Sequence, residues 1–321
     1  MSRVAALVTS ITLALIAPLP AQTPAPADSR YELPAQISFP EGIAHDASRG
    51  VFYVGSATDG AIARVNLTTR AADVVVPGGT LMPEGAAFPG ILGMKVDGSN
   101  RLWVAGGRLG RMFVIDTTSG KILKQVEVPN PAGSLINDVV IVGNAGYFTD
   151  TRQPTLWRLE AKGSTIGDLE PWLSFENTAL THDPKQANLN GIAATPDGQS
   201  LIAVQMAAGL LFRIDVKTKA VSAIDTGGAD LTGADGLVLD GRRLYVVRQP
   251  AAEIVTVDLS ADYSRGSVVT RFKDPGLVHP ATAAKVGDQL LVVNTQFNLR
   301  GKKAETRPFT VLSVPVQSLS K

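Results

Sequence analysis

The sequence contains no cysteine among its 321 residues. Disulfides, thiolate zinc sites, iron–sulfur clusters, a cysteine nucleophile and a lipoprotein anchor are therefore excluded. Histidine is also scarce, because the chain has only His45, His182 and His279, and a three-histidine metal site would need all of them. We therefore expect any bound metal to have oxygen ligands, which Ca²⁺ and Mg²⁺ prefer.

The chain also lacks an excess of charge of either sign. Thirty basic residues stand against 29 acidic residues, which gives a net charge of +1. A near-neutral chain has no strong field to attract nucleic acid or an anionic membrane, so we expect neither as a partner. The 45% of hydrophobic residues and 18% of charged residues exclude an intrinsically disordered chain. The sequence contains no Gly-x-Ser-x-Gly motif, which makes a serine esterase a poor fit.

The N-terminus has the pattern of a secretory signal peptide. Arg3 is the only charge before Asp28, and residues 4–16 form an apolar run that is too short to span a bilayer. A Pro/Ala-rich stretch follows, with candidate cleavage sites between residues 21 and 27. We assign residues 1–21 to a signal peptide and residues 22–35 to a Pro/Ala-rich leader, and we weigh a buried N-terminal helix as the alternative. The signal peptide predicts export to the periplasm or the medium, with no membrane attachment after cleavage.

Short β-rich runs recur through the rest of the chain, in pairs joined by turns. The pairs begin near positions 42, 93, 138, 191, 236 and 281, so the repeat is 45 to 53 residues long. A third β-rich run follows each pair, and a fourth run follows most of them. Four strands in about 45 residues is the repeat of a β-propeller blade. The sequence therefore predicts an all-β fold: one six-bladed β-propeller over residues 36–316, with four antiparallel strands per blade, followed by a tail at 317–321.

Oxygen-bearing side chains recur where the inner strands are predicted to begin. We place six residues at this position: Glu41, Gly93, Asn137, Asn190, Asp235 and Pro280. Because the inner strands of a propeller surround its axis, the two carboxylates and two amides in this set are expected to converge there. Such a group of hard oxygens suits Ca²⁺ best, with Mg²⁺, Mn²⁺ and Zn²⁺ as further candidates. The alternative is that these residues serve only in turns and caps.

These motifs resemble a known family, the senescence-marker-protein/gluconolactonase (regucalcin-like) propellers. The resemblance covers residues 36–316 and rests on Pro40-Glu41-Gly42, Asn137-Asp138, Asn190-Gly191, Pro196-Asp197-Gly198 and Asp235-Gly236. It implies that Glu41, Asn190 and Asp235 bind a divalent cation, and that Asn137 is a further ligand or a substrate contact. It also implies hydrolysis of lactones or phosphoesters.

The sequence departs from that family in its predicted substrate pocket. Leu135 stands two residues before Asn137, where sugar-lactone members usually have arginine. Together with Met94 and Met206 it predicts an apolar pocket, which favours uncharged lactones with apolar substituents over sugar lactones. His279 is a candidate proton shuttle or hydrogen-bond donor in this pocket. Four more residues end second strands and are expected on the same face: Arg108, Arg152, Arg248 and Asn294.

Three functions are compatible with this pattern. The first is a secreted metal-dependent hydrolase of small lactones or related esters, in which Asp235 is the catalytic residue that takes a proton from the attacking water. The second is a non-enzymatic secreted propeller that binds a partner and holds a structural cation. The third is a lyase or synthase, which would need a histidine or glutamate base. An open coordination position would indicate a catalytic ion, and an enclosed one a structural ion.

Overall fold

The computed structural model describes residues 29–302 and 308–320. The predicted signal peptide, its cleavage sites and most of the predicted leader lie outside these residues. The described chain consists mainly of β-strands, with short 3₁₀ turns at Pro131–Gly133, Phe297–Leu299 and Val316–Leu319. In the part of the chain that the structure describes, no helix has the length and apolar character needed to cross a membrane.

The strands form six antiparallel sheets, which follow one another along the chain. The first strand, β1 (Arg30–Glu32), belongs to blade six. Blades one and two contain β2 (Pro40–Asp46), β3 (Val51–Ser56), β4 (Ile62–Asn66), β5 (Ala72–Val76), β6 (Met94–Val96), β7 (Arg101–Ala105), β8 (Arg111–Asp116) and β9 (Ile122–Glu127). Blade three contains β10 (Ile136–Val142), β11 (Ala145–Asp150), β12 (Thr155–Lys162) and β14 (Glu170–Ser174), with the short extra strand β13 (Thr165–Ile166).

Blades four to six complete the ring. They contain β15 (Leu189–Ala194), β16 (Ser200–Gln205), β17 (Leu210–Asp215), β18 (Val221–Ile224), β19 (Ala234–Asp240), β20 (Arg243–Arg248), β21 (Glu253–Leu259), β22 (Gly266–Lys273), β23 (Pro280–Val286), β24 (Gln289–Asn294) and β25 (Thr310–Pro315). Each inner strand packs against the inner strands of both neighbouring blades, and β23 packs against β2. The prediction of an all-β, six-bladed propeller is therefore confirmed.

The two ends of the chain close the ring through one sheet. Blade six has the strand order β1-β25-β24-β23, and Tyr31 of β1 pairs with Val311 of β25. The outer strand of the last blade therefore comes from the start of the chain, which explains why no fourth β-rich run follows residue 315. This pairing places residues 30–32, assigned above to the leader, inside the propeller. Closure leaves fewer strand edges open to pairing with other chains.

The hydrophobic core lies between successive blades. Large aromatic side chains fill these spaces with at most 1% exposure, among them Tyr53, Trp103, Phe148, Phe212 and Tyr245. Each apolar cluster combines side chains from two neighbouring blades, as in the cluster that joins Tyr53 of blade one to Phe113 of blade two. Burial of this apolar surface fixes the positions of the inner strands, and these strands carry the candidate site.

Candidate functional site

An irregularity in strand pairing recurs where the inner strands begin. In β2 the register against β3 shifts between Pro40 and Ile43, so Glu41 and Gly42 lie in a bulge. Register shifts with the same spacing occur in β10, β15, β19 and β23. Bulges redirect side chains and are common next to active sites. They define one structural position that recurs around the axis.

This register identifies the equivalent residue in each blade. The first bulge positions are Glu41, Asn137, Asn190, Asp235 and Ala281. The inner strand of blade two pairs without a register shift, and its equivalent residue is Leu92, two residues before Met94 as Glu41 is two residues before Ile43. The four oxygen-bearing residues therefore share one position in blades one, three, four and five, as predicted. Gly93 and Pro280 each lie one residue away from the equivalent position, which in blades two and six has no polar side chain to mark it in the sequence. The side chains of blades two and six at this position are apolar.

The four polar side chains of this ring are almost completely buried. Glu41, Asn190 and Asp235 are each 4% exposed, and Asn137 is 6% exposed. Two of their oxygens, Glu41 Oε2 and Asn137 Oδ1, have no hydrogen-bond partner within the residues that the structure describes. A buried polar atom without a partner costs about 1–3 kcal/mol. The unpaired oxygens fit a hard cation, which would accept both as ligands.

Burial and mutual repulsion perturb the carboxylates of the ring. Burial raises the pKa of Glu41 well above its ordinary value, and the charges of Asp235 and Asp138 raise it further, against an opposing effect of Lys95. Burial raises the pKa of Asp235 to about 8, with a smaller contribution from the charge of Asp138, while a hydrogen bond from Asn190 acts the other way. Without a cation, Asp235 therefore holds a proton at neutral pH and Glu41 is harder to ionise than an ordinary glutamate, and a cation would oppose both effects.

Neighbouring side chains hold the ring residues in place. The Nδ2 of Asn137 donates to Thr151 Oγ1 at 2.9 Å, which leaves the amide oxygen available for a ligand. The Nε2 of Gln249 donates to Asp235 Oδ2 at 2.8 Å, so one carboxylate oxygen of Asp235 has a fixed partner. Hydrogen bonds of this kind orient the side chains that bind a metal, and they are typical of metal sites.

Asp138 is a third buried carboxylate, for which the sequence suggested no role. Its Oδ1 accepts a hydrogen bond from the Val139 backbone at 2.8 Å, and its Oδ2 accepts one from the Ile192 backbone at 3.1 Å. The residue therefore ties blade three to blade four and adds negative charge beside Glu41 and Asp235. The sequence does distinguish Asp138, because four other blades have glycine at the same position of the repeat: Gly42, Gly93, Gly191 and Gly236.

The predicted pocket residues have different surroundings. Met94 is completely buried in the core between blades one and two, so it packs the interior and does not line an open pocket. Leu135 is half-buried beside Asn137, and Met206 is half-buried with its Sδ 3.2 Å from Asn190 Nδ2. His279 is half-buried, but it lines a surface cavity of about 490 Å³ that none of the four ring residues lines.

His279 has an unusual local structure. Its backbone has φ of 51°, a left-handed conformation that a non-glycine residue rarely adopts. Its Nδ1 is buried and has no hydrogen-bond partner within the described residues. Burial lowers the pKa of the imidazole, so the ring is neutral at neutral pH and can accept a proton.

The four residues predicted at the ends of second strands divide into two groups. Arg248 is buried and forms ion pairs with Glu253 and, at 2.9 Å, with Asp230, while the side-chain amide of Asn294 donates to the Gly276 carbonyl at 2.9 Å. These contacts leave neither residue free for a substrate. Burial lowers the pKa of Arg108, and so does the positive charge of Arg152 nearby. These two arginines remain candidates for contact with a substrate.

Four half-exposed phenylalanines form an aromatic cluster close to Glu41. The ring of Phe39 lies 5.1 Å from Phe309 and 6.2 Å from Phe88, and Phe88 lies 5.1 Å from Phe297. Phe39 precedes Glu41 by two residues and has φ of 50°. The sequence alone does not reveal this cluster, because its members come from distant parts of the chain. It adds an apolar surface beside the start of blade one.

Carboxylates and histidines alone do not form a metal site here. Within residues 29–302 and 308–320, no group of three or more His, Asp or Glu side chains is arranged to hold a metal ion. The ring has two carboxylates and two amides. Binding of a cation would therefore depend on Asn137 and Asn190 as well as on Glu41 and Asp235.

The comparisons with known proteins support the fold. No protein-family model and no curated protein matches the sequence. Among solved structures, regucalcin from Agrobacterium tumefaciens, a calcium-binding protein, has a TM-score of 0.61 and 15% identity, covering 88% of this chain and 92% of its own. A gluconolactonase from Xanthomonas campestris has a TM-score of 0.59 and 18% identity, covering 91% and 93%.

A third similar structure has a different activity. Virginiamycin B lyase from Staphylococcus aureus has a TM-score of 0.59 and 16% identity, covering 90% of this chain and 88% of its own. Identities this low establish a shared fold and nothing finer. Since the same propeller carries both a gluconolactonase and a lyase, a reaction must be argued from the site itself.

Proposed function

We propose that this protein is a metal-dependent hydrolase of lactones or related esters, with a divalent cation held at the propeller axis. The observation that carries the proposal is the pair of unpartnered buried oxygens, Glu41 Oε2 and Asn137 Oδ1, in one ring with Asn190 and Asp235. Hard oxygen donors favour Ca²⁺ first, and Mg²⁺, Mn²⁺ and Zn²⁺ are the other candidates. Such a cation would supply Lewis-acid polarisation of an ester carbonyl.

Asp235 is the proposed proton acceptor. Gln249 holds its Oδ2, and although burial raises its pKa to about 8 in the cation-free site, a bound cation would keep the carboxylate ionised, as a general base requires. The carboxylate would take a proton from the attacking water. Glu41 and Asn137 would serve as ligands, and Asn190 would serve both as a ligand and as a hydrogen-bond partner of Asp235.

The surroundings of the ring favour an apolar substrate. Leu135 and Met206 are half-buried neighbours of ring residues, and the four-phenylalanine cluster lies close to Glu41. A sugar hydroxyl buried against such surfaces without a partner costs about 1–3 kcal/mol. One unpaired hydroxyl would therefore weaken a sugar lactone by about tenfold or more relative to an aliphatic lactone.

Hydrolysis assays with a matched control test this proposal. Wild type, Glu41→Gln and Glu84→Gln would be compared on an aliphatic lactone, gluconolactone and a phosphotriester, with Ca²⁺ or with chelator. Glu84 is an exposed residue in the tripeptide Pro83-Glu84-Gly85, which repeats the Pro40-Glu41-Gly42 motif outside the ring. We expect Ca²⁺-dependent cleavage of the aliphatic lactone by wild type and Glu84→Gln only.

Two outcomes would change the proposal. If no ester is cleaved above the Glu41→Gln background, the protein is not a hydrolase of these substrates. If gluconolactone is clearly the best substrate, the reaction stands but the argument from Leu135 and the aromatic cluster is wrong.

A second candidate is a non-enzymatic binding propeller with a structural cation. The observation in its favour is the near-complete burial of the four ring residues, since a structural ion is enclosed whereas a catalytic ion faces a pocket. In that case Glu41→Gln would lower thermal stability in Ca²⁺, and wild type would cleave none of the three esters.

We also propose that the protein is exported, on the basis of residues 1–21 alone. N-terminal sequencing of the protein from a periplasmic or medium fraction would test this. We expect a mature chain that begins between residues 22 and 28. A chain that retains residues 1–21 in those fractions would contradict the proposal.

A further inference from the structure

A cavity lies on the propeller axis, among the parts of the inner strands that follow the bulges. Its volume is about 460 Å³, within the range of roughly 300–1,000 Å³ that is typical of small-molecule sites. All six inner strands contribute to its lining through their later residues, and none of Glu41, Asn137, Asn190 and Asp235 lines it. The cavity is therefore separate from the ring described above.

One side of this axial cavity is apolar. Blades three, four and five contribute mainly aliphatic side chains to the lining, including Val140, Ile141, Ile192, Leu237 and Leu239. The exception is Thr195, whose hydroxyl already donates to Asp197 at 2.6 Å. This side of the cavity offers a ligand dispersion contacts and burial of apolar surface, with few hydrogen bonds from side chains.

The opposite side carries basic residues from three consecutive blades. Lys285, His45 and Lys95 line the cavity from blades six, one and two. Burial lowers the pKa of His45, against an opposing effect of the Asp46 charge, so its ring is neutral at neutral pH. The positive charge on this side of the cavity therefore comes from the two lysines.

The two lysines are only partly neutralised. Lys285 Nζ lies 3.2 Å from a carboxylate oxygen of Asp240, whose side chain is 46% exposed. Lys95 Nζ donates to the Met94 carbonyl at 3.2 Å and forms no salt bridge within residues 29–302 and 308–320, although its charge acts on Glu41 at longer range. The cavity thus joins an apolar side to a positively charged side.

We propose that the axial cavity binds an amphiphilic carboxylate, with its aliphatic chain against blades three to five and its carboxylate at Lys95 and Lys285. A carboxylate would give Lys95 the charged partner that it lacks, in a partly buried place where such a pair is stronger than in water. The chain would bury methylene groups against the aliphatic side. A sugar would leave its hydroxyls unpaired against that side, and a neutral chain would leave Lys95 without a partner.

Calorimetric titration with decanoate tests the charge. We expect decanoate to bind wild type with one site per chain and to bind Lys95→Gln about tenfold more weakly. Decanol, which has the same chain without the charge, should bind wild type about tenfold more weakly than decanoate and should not distinguish the two proteins. Lys217→Gln, at an exposed lysine outside the cavity, is the matched control and should bind like wild type.

A shorter carboxylate and two cavity-filling variants test whether decanoate binds in the axial cavity. Octanoate should bind about tenfold more weakly than decanoate, because two fewer methylenes are buried. Ala194→Trp places a large ring in the cavity from blade four and should abolish binding. Val238→Phe does the same from blade five and serves where the tryptophan variant does not fold, as judged by its melting temperature.

The results separate this proposal from the proposed hydrolase. Asn137→Ala, which removes a proposed ligand of the ring without changing its charge, should bind decanoate like wild type even though it loses activity. The proposal is overturned if decanoate does not bind at all, or if decanol binds equally well and Lys95→Gln changes neither affinity. It is also overturned if Ala194→Trp and Val238→Phe both fold and bind decanoate like wild type.

Discussion

Replacement of Asp235 by asparagine tests the electrostatics of the ring. Asparagine keeps the shape of the side chain and can still accept the hydrogen bond from Gln249, but it removes one negative charge next to Glu41 and Asp138. In the absence of a cation, we expect Asp235→Asn to stabilise the protein at alkaline pH. In Ca²⁺ we expect the opposite, because the variant loses a charged ligand.

The size of the effect follows from the pKa of Asp235. In the folded protein that pKa is about 8, against an ordinary value of 3.8. A carboxyl with a raised pKa favours the folded state fully below pH 4, and this advantage is lost as pH rises towards 8. At about 1.4 kcal/mol per unit, the loss amounts to about 6 kcal/mol. For a domain of this size, that corresponds to a shift of about 10 °C in the melting temperature.

Thermal unfolding between pH 4 and pH 9 measures this effect. With chelator, wild type should lose stability relative to Asp235→Asn as pH rises, and the two should be closest near pH 4. With Ca²⁺ at about 100 times its dissociation constant, wild type should gain about 2.7 kcal/mol and the variant clearly less. A stability difference that does not depend on pH, or the same response to Ca²⁺ in both proteins, would refute the reasoning.

Three further predictions concern the cation and the ring closure. Ca²⁺ added to metal-free wild type at pH 7 in weak buffer should release protons, because Asp235 holds one in the cation-free site, and Asp235→Asn should release fewer. Thr151→Val removes the partner of Asn137 Nδ2 and should weaken Ca²⁺ binding by about tenfold or more in a calorimetric titration, whereas an unchanged affinity would mean that Asn137 is not a ligand. A chain that lacks residues 30–32 should unfold at a lower temperature than wild type, since β1 completes blade six, and an equal melting temperature would contradict that role.

The blade pattern could be predicted because it is local in the sequence. Each inner hairpin joins neighbouring runs across a short turn, so the repeat, the number of blades and the position of the inner strands follow from periodicity. The outer strand of blade six could not be found in this way, because β1 and its partner β25 lie at opposite ends of the chain. The three residues of β1 are also too few to carry a clear pattern.

The candidate site could be predicted only in part, for similar reasons. Glu41, Asn137, Asn190 and Asp235 follow the repeat, and the register places them at one equivalent position. In blades two and six the equivalent residues, Leu92 and Ala281, are apolar and carry no signal in the sequence, which is why the assignments there were one residue off. Met94 was misassigned because an apolar residue next to the ring can point into the core as readily as into a pocket.

The central claim is that a cation binds at the axis through the four ring residues. Calorimetric titration of Ca²⁺ into chelator-treated protein tests it most directly, with wild type, Glu41→Gln and Glu84→Gln compared side by side. We expect one Ca²⁺ per chain in wild type and Glu84→Gln and a large loss of affinity in Glu41→Gln. The absence of binding to wild type, or an affinity that Glu41→Gln leaves unchanged, would contradict it.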